Sequence, residues 1–483
     1  MKTLTRREFQ WMTGRTLALS PLLAGIACGP GETSRPSGTT RGATTATGPL
    51  TMTLGSADVT IPPTQPEGDT WRYGLALPFQ VAAGKAGLFC GIRGKRGRDF
   101  EVGTDAILFS DLSQIQAEGA ISISRNHGEK NPNSSPAGAP SIMVKYPVTG
   151  GFVPAGAKLE DGSPHPHAGT GFGICQAIAW TADQESVYPG EQTYEYVELY
   201  QLAYDDDGFR LTETERIPYD ELLAGAVLAN PGLTNAIADG EDLLFTMGGG
   251  IEGGSASGLT RWRRQADKWR PVSWKPITHA DGSFEPSLIR DGDGSLLFSA
   301  RGGRDEEGRR RLQSRVWRSQ DGGESWSKVI HVEGAVGGCP ITLNQAADGT
   351  PYIAANLNEV TLHPLSERAR PKKNDQGIVH ASAAGREKLC FWPLNQARDG
   401  LETPILVRDS VAEFGLAPSG DFWAVDHPSA MTVQLADSAW HNVIVMRICD
   451  TAEVRVGADP VPQTGCYVEE VLSSGTPIPM WKF

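Results

Sequence analysis

Four stretches of the chain share one pattern of apolar and polar positions: NAIADGEDLLFTMGGG (235–250), PSLIRDGDGSLLFSARGG (286–303), PITLNQAADGTPYIAANLN (340–358) and SAMTVQLADSAWHNVIVMR (429–447). Each sets two short apolar runs on either side of an Asp-Gly or Asp-x turn, the strongest short-range signal for a β-hairpin. After the first three comes a second, more polar pair of runs: LTRWRRQADKWRPVSW, RRLQSRVWRSQDGGESWSKVIHV and IVHASAAGREKLCFWPL. The predicted unit is four antiparallel strands in about 50 residues, an apolar inner hairpin followed by a wetter outer one.

Radial repetition of such units makes a β-propeller, and the regular spacing favours it over an array of β-sandwiches. The pattern places blades near 171–220, 230–275, 285–332, 340–395 and 425–475, with 71–150 forming another. The expected fold is therefore all-β, a six-bladed propeller of four-stranded antiparallel blades. The 57 Gly, 33 Pro and 12 Trp fit many short strands and turns, and no long amphipathic helix is readable after the N-terminus. At 39% hydrophobic and 21% charged residues, most of the chain can bury a core. A formal charge of −13 argues against a nucleic-acid or anionic-membrane surface.

Residues 1–28 read as a targeting segment. Thr5-Arg6-Arg7-Glu8-Phe9 has the form of a twin-arginine export signal, followed by LALSPLLAGIA and then Cys28. Ala27 before Cys28 resembles a bacterial lipoprotein processing site, so membrane contact is expected only through a lipid on Cys28. The Ser/Thr/Gly/Pro-rich stretch 29–50 reads as a polar leash, which leaves 51–483 as the propeller. Cys90, Cys175, Cys339, Cys390, Cys449 and Cys466 show no CxxC or metal-knuckle spacing and are expected mostly as buried, apolar-like side chains. No metal or cofactor is expected.

Within the fourth predicted blade, SQDGGESW (319–326) sets Ser319, Asp321, Gly323 and Trp326 in a tight turn stapled by an aromatic. Reflecting each inner hairpin about its turn then pairs residues at the opposite end of the blade. About Asp293, Glu285 faces Arg301; about Asp437, His427 faces Arg447; about Asp348, Pro340 faces Asn356. Glu, Arg, His, Arg and Asn on one rim exceed what a purely structural propeller requires.

SQDGGESW resembles the Asp-box of the sialidase (neuraminidase) superfamily, with weaker echoes at QADKW (265–269) and LADSAW (435–440). The resemblance implies a turn between the third and fourth strands of a blade. It also implies a site built from three arginines that grip a substrate carboxylate, a tyrosine nucleophile, a glutamate that activates it, and an aspartate acid/base. EPSLIRDGDGSLLFSAR carries Glu285 and Arg301 in the matching positions, and Arg447 resembles the third arginine. Tyr467 in TGCYVEEV is the candidate nucleophile, and Arg72 in WRYGLALPF is the candidate first arginine. Asp99 and Asp105 are both possible as acid/base, and nothing local selects between them. The Arg-Ile-Pro triplet at 216–218 follows a hairpin in mid-chain and is read as coincidental.

The implied activity is hydrolysis of an acidic-sugar-containing extracellular glycan. The competing readings are a non-catalytic surface propeller that binds glycan or protein, and a metal-dependent lyase using His127, His165 and His167. Those histidines lie in NHGEKN and SPHPHAGTGFG, where their bland role is to bond backbone carbonyls and their sharp one is a metal site or an acid/base pair; their place in long insertions favours substrate contact.

Overall fold

The computed structural model of the protein describes residues 52–54, 59–60, 72–93, 101–115, 119–125, 141–145, 148–181, 196–222, 228–251, 254–278, 283–302, 313–333, 340–357, 386–420, 422–451, 464–474 and 477–483. Two short strands come first, β1 (Met52–Leu54) and β2 (Val59–Thr60). Blade I is β3 (Arg72–Ala82), β4 (Lys85–Arg93), β5 (Glu101–Phe109) and β6 (Ile121–Arg125). In blade II, β7 (Ser141–Lys145) and β8 (Thr149–Val153) share the inner edge of β9 (Thr170–Thr181), followed by β10 (Tyr196–Asp205) and β11 (Gly208–Pro218). Blade III likewise splits its inner strand into β12 (Leu228–Pro231) and β13 (Ile237–Asp239), both on β14 (Asp242–Ile251), with β15 (Gly254–Gln265) and β16 (Lys268–Pro276) outside.

Blade IV is β17 (Ser283–Arg290), β18 (Leu296–Gly302), β19 (Gln313–Ser319) and β20 (Ser327–Glu333). Blade V is β21 (Thr342–Gln345), β22 (Pro351–Asn356), β23 (Lys388–Pro393) and β24 (Ile405–Asp409). Blade VI is β25 (Trp423–Gln434), β26 (Trp440–Asp450) and β27 (Gly465–Ser473), and β1 and β2 complete it by pairing with β27. Inner strands of successive blades pack on one another, and β25 returns to β3, so the six blades close a ring. The fold is a six-bladed β-propeller.

Apolar residues fill the seams between blades. Phe172 of blade II stacks on Trp262 of blade III with ring centroids 3.8 Å apart. Tyr352, Phe391, Trp423, Ile444 and Met446 fill the seam between blades V and VI, with Met52 of β1 among them. Cys90, Cys175 and Cys466 are buried in the cluster shared by blades VI, I and II, and Cys390 lies between IV and V. Cys339 and Cys28 lie outside the described residues.

Three expected boundaries are corrected. The stretch 71–150 is not one blade: blade I ends at Arg125, and 141–153 supplies the inner strands of blade II. β8 lacks an alternating apolar pattern because Gly150 and Gly151 are needed where the backbone meets its neighbours; a Cβ on Gly150 would lie 2.0 Å from the Phe172 carbonyl oxygen. In blade V, β23 is the third strand, paired with β22, and the Asn395–Gly400 turn carries the chain on to β24, so the blade runs past 395 to Asp409.

Two segments close the middle of the ring. Between β12 and β13, Gly232–Ala236 bonds to four other blades. Asn235 donates to Pro78 O of blade I (2.5 Å) and accepts from Gly150 N of blade II (3.2 Å). Leu233 N donates to Pro286 O of blade IV (3.2 Å), and its carbonyl accepts from Ser429 Oγ of blade VI (3.3 Å). At the other end, the segment after β27 returns across the ring, where Met480 packs against clusters spanning blades VI, I, II, III and IV.

Candidate functional site

In an antiparallel blade, the starts of strands one and three and the ends of strands two and four share one face of the disc. The turn Ser319–Trp326 joins β19 to β20 and so lies on the opposite, turn face. Asp321 accepts from Ser319 Oγ (2.8 Å) and Ser325 N (2.9 Å), Ser319 Oγ accepts from Gly323 N (2.8 Å), and Trp326 Nε1 donates to Gly323 O (3.1 Å). Gly322 and Gly323 have φ of 73° and 94°, which glycine adopts freely. Bonds from Ser325 and Ser319 hold the Asp321 carboxyl below the usual carboxylate range. Ser319, Asp321 and Ser325 thus bond within the turn, while Glu324 pairs with Lys275 of blade III.

The other face carries two matching backbone irregularities. Of the six non-glycine residues with positive φ among those described, four sit in turns or loops, and the other two are Glu285 and His427, each at 52°. Each precedes a proline, Pro286 or Pro428, and each is the extra residue of a β-bulge near the start of an inner strand. Before the bulge Phe284 pairs with Arg301 and after it Ser287 pairs with Ser299; in blade VI, Asp426 pairs with Arg447 and Ser429 with Val445. A side chain held at positive φ costs free energy, so the surroundings must enforce it. Leu233 does so for both, since it bonds Pro286 O on one side and Ser429 Oγ on the other. Thr246 Oγ1 adds a second bond to Pro286 O (3.1 Å).

The bulges turn Glu285 and His427 toward charged partners. Arg301 binds the Glu285 carboxylate and lies over the Phe284 ring at 4.9 Å, with both charged side chains partly exposed. In blade VI, Arg447 grips Asp426 with two parallel bonds, Nε to Oδ1 and Nη2 to Oδ2, both 2.7 Å. Arg386 of blade V reaches Asp426 Oδ2, and His427 Nδ1 lies 2.9 Å from Oδ1. Burial pushes the Asp426 carboxyl up, but Arg447, His427 and Arg386 outweigh it and hold the group well below the usual range. Burial, seconded by Arg447 and Arg386, lowers His427 below the ordinary histidine value against the pull of Asp426. With Nδ1–H donating to Asp426, the neutral ring carries its lone pair on Nε2.

The remaining expected residues are placed as follows. Asn356 is fully buried, and its Nδ2 donates to Lys388 O (3.0 Å) and Val425 O (2.7 Å), stitching blade V to blade VI. Tyr467 pairs with Met446, one position from the Arg447–Cys466 pair, and packs in the seam with blade V, with the Arg408 guanidinium 5.9 Å from its ring centre. Arg447 and Tyr467 therefore face opposite sides of their sheet. Arg72 opens β3, in register with Arg93. Asp99 and His127 lie outside the described residues.

His165 and His167 stand in the connection from the first to the second strand of blade II, not before its first strand, and so on the turn face. His165 Nε2 bonds Gly240 O (3.1 Å), and its Nδ1 accepts from His167 N (3.1 Å). A cleft of about 810 Å³ beside them is lined by Arg290, Trp440, Trp481 and Phe483. Of its charged groups, Arg290 is paired with Asp239 and Lys482 with Glu160. Among the described residues no cluster of three His, Cys, Asp or Glu forms a metal centre.

Further ionisable groups lie toward the bulge-bearing ends of the blades. Asp105 is fully buried, accepting from Tyr73 Oη (2.9 Å) and paired with Arg125 (2.5 Å). Glu198 accepts from Tyr200 Oη and pairs with Arg216 of the Arg-Ile-Pro triplet (3.2 Å). Burial, then Cys175 and Glu198, push Tyr200 well above the usual tyrosine range. The signals were present as Tyr-x-Glu-x-Tyr at 196–200 and as Asp426 beside His427, but their partners come from distant strands.

No protein-family model and no curated protein matches the chain. Among solved structures it is similar to a Dyadobacter fermentans protein of unknown function, with 13% identity, 87% of this chain and 98% of that one covered, and a TM-score of 0.49. It is also similar to a leech intramolecular trans-sialidase complexed with 2,7-anhydro-Neu5Ac (10% identity, 85% and 68% covered, TM-score 0.47). A third likeness is to a Penicillium chrysogenum α-L-arabinanase complexed with arabinobiose (9% identity, 88% and 97% covered, TM-score 0.40). At such identities and scores these likenesses decide nothing about activity, and the fold assignment rests on the sheet topology.

Proposed function

We propose that the protein is an exported glycoside hydrolase of sialidase-like propeller architecture acting on extracellular glycan, tethered by a lipid on Cys28. The observation that carries the reading is the pair of pre-proline bulges, which hold Glu285 and His427 at positive φ on one face and under one clasp. Strain of this kind concentrates where a side chain must be aimed at a ligand. Glu285 supplies a carboxylate fixed by Arg301. His427 supplies a neutral imidazole backed by Asp426, as a proton acceptor needs. Both are proton acceptors, so they offer the base or nucleophile that glycoside cleavage requires, and the proton for the leaving oxygen would come from a third group. A non-catalytic glycan-binding surface is the second reading, favoured by the Glu285–Arg301 ion pair, which is equally suited to holding sugar hydroxyls.

The test is hydrolysis of a panel of aryl glycosides by the wild type, Glu285→Gln, Arg301→Ala and His427→Asn, each checked for an unchanged melting transition. The expected outcome is a fall in kcat/KM of about 10²–10⁴-fold for Glu285→Gln and His427→Asn. The acid limb of the wild-type pH profile should lie below the ordinary histidine value of 6.5 and vanish in His427→Asn. Glycan binding without turnover would select the second reading. Full activity in all three variants would sink the site.

A further inference from the structure

We propose that this site takes neutral sugars, because Arg301, Arg386 and Arg447 are already paired with carboxylates of the protein itself; the inference rests on the glycan reading above. The geometry with which Arg447 holds Asp426, two parallel N–H···O bonds of 2.7 Å, is the geometry with which an arginine grips a ligand carboxylate. Asp426 therefore stands where an acidic sugar would place its charge. It is fully buried, Arg447 is 1% exposed, and Arg386 closes the same carboxylate from blade V. Arg301 is likewise bound to Glu285, and Arg315, also buried, donates to Gly302 O (2.9 Å) and covers the Trp317 ring.

At Arg301, Arg386 and Arg447 an incoming carboxylate would have two routes. It could displace Asp426 from both arginines, which would leave a buried carboxylate without its partners. Otherwise it would sit beside Glu285, like charge against like. Neither route is open at low cost. Glu285 is paired with Arg301, and Asp426 is shared by Arg386 and Arg447. Among the described residues, Glu285 offers a ligand an acceptor and His427 Nε2 a lone pair. Those groups suit hydroxyls.

The experiment uses matched pairs that differ only in a carboxylate: an aryl glucoside against the glucuronide, an aryl galactoside against the galacturonide, with an aryl sialoside added. Turnover and equilibrium binding are both read on the full-length protein. The neutral member of the favoured pair should lead by at least about tenfold. A lead for the uronides or the sialoside would overturn the inference while leaving the glycan reading intact. Failure to bind or cleave any member would overturn the glycan reading, and the inference with it. A second measurement reads the forks directly: Asp426→Ala should melt lower than wild type and recover in formate but not in equal chloride. Equal responses to the two salts would contradict the claim that this is a carboxylate receptor. If the variant does not fold, the wild-type ratios decide alone.

Discussion

His441 stands between two carboxylates, with Nδ1 2.7 Å from Glu470 Oε1 and Nε2 3.2 Å from Asp437 Oδ2. Both ring nitrogens then serve best as donors, which is the protonated form. The bond to Glu470 raises its proton affinity above the ordinary 6.5, burial opposes it, and Asp437 adds to the rise. A group whose folded-state value is raised stabilises the fold fully below its unfolded value and loses that contribution as pH climbs through the folded one. Stability should thus fall by up to about 1 kcal/mol from below pH 6.5 into the mildly alkaline range, a modest figure because Asp437 is largely exposed. Thermal unfolding of the wild type and His441→Asn at matched pH values checks this, and an identical slope in both would refute it. His427, on the neighbouring inner strand β25 of the same blade, is governed by the opposite balance, because two arginines stand behind its carboxylate. The same side chain is thus a stabilising cation at the turn end of this hairpin and a neutral acceptor toward its other end.

Glu285 and Arg301 were legible because a hairpin is a local object: sixteen residues, an Asp-Gly turn and alternation fix who faces whom. The one-residue bulge that turns Glu285 toward its arginine was not, since it depends on a clasp from another blade. Tyr467 shows how parity hides the rest. Its neighbour Cys466 is the residue opposite Arg447, so one step along β27 moves the tyrosine to the other side of the sheet. Asp426 and Arg386 meet only because blades V and VI are adjacent, and their spacing along the chain carries no periodic signal. The clasp Gly232–Ala236 reads as an ordinary loop, yet it bonds blades I, II, IV and VI. Asn235→Ala removes the donor to Pro78 and the acceptor for Gly150, both buried. The expected cost is about 1–3 kcal/mol, measured by urea unfolding. If the clasp also aims the bulges, kcat/KM falls in the folded variant. A variant as stable and active as wild type would show the clasp to be passive.

At the scale of the ring, closure is a contact between strands more than four hundred residues apart. Met52, Thr53 and Leu54 of β1 pair with Ser473, Leu472 and Val471 of β27, and β2 pairs with Tyr467 and Val468. Without these strands β27 would be a sheet edge, and Val471 would lose its cover. Met52 is almost wholly buried among Tyr352, Phe391 and Tyr467, so its removal alone forfeits about 1.5–3 kcal/mol. Removal of 51–60 should therefore lower stability by several kcal/mol, and unevenly. Amide exchange should accelerate first in β27 and next in β26, while blades II and III, held by the Phe172–Trp262 stack and the clasp, keep their protection until global unfolding. The rim depends on blade VI through Asp426 and Arg447, so His427-dependent activity should fall before the Glu285–Arg301 pair in blade IV is disturbed. Hydrogen exchange resolved by blade distinguishes this from a uniform loss. Equal acceleration in all six blades would mean that the ring melts as one unit and that closure is shared rather than concentrated in β1.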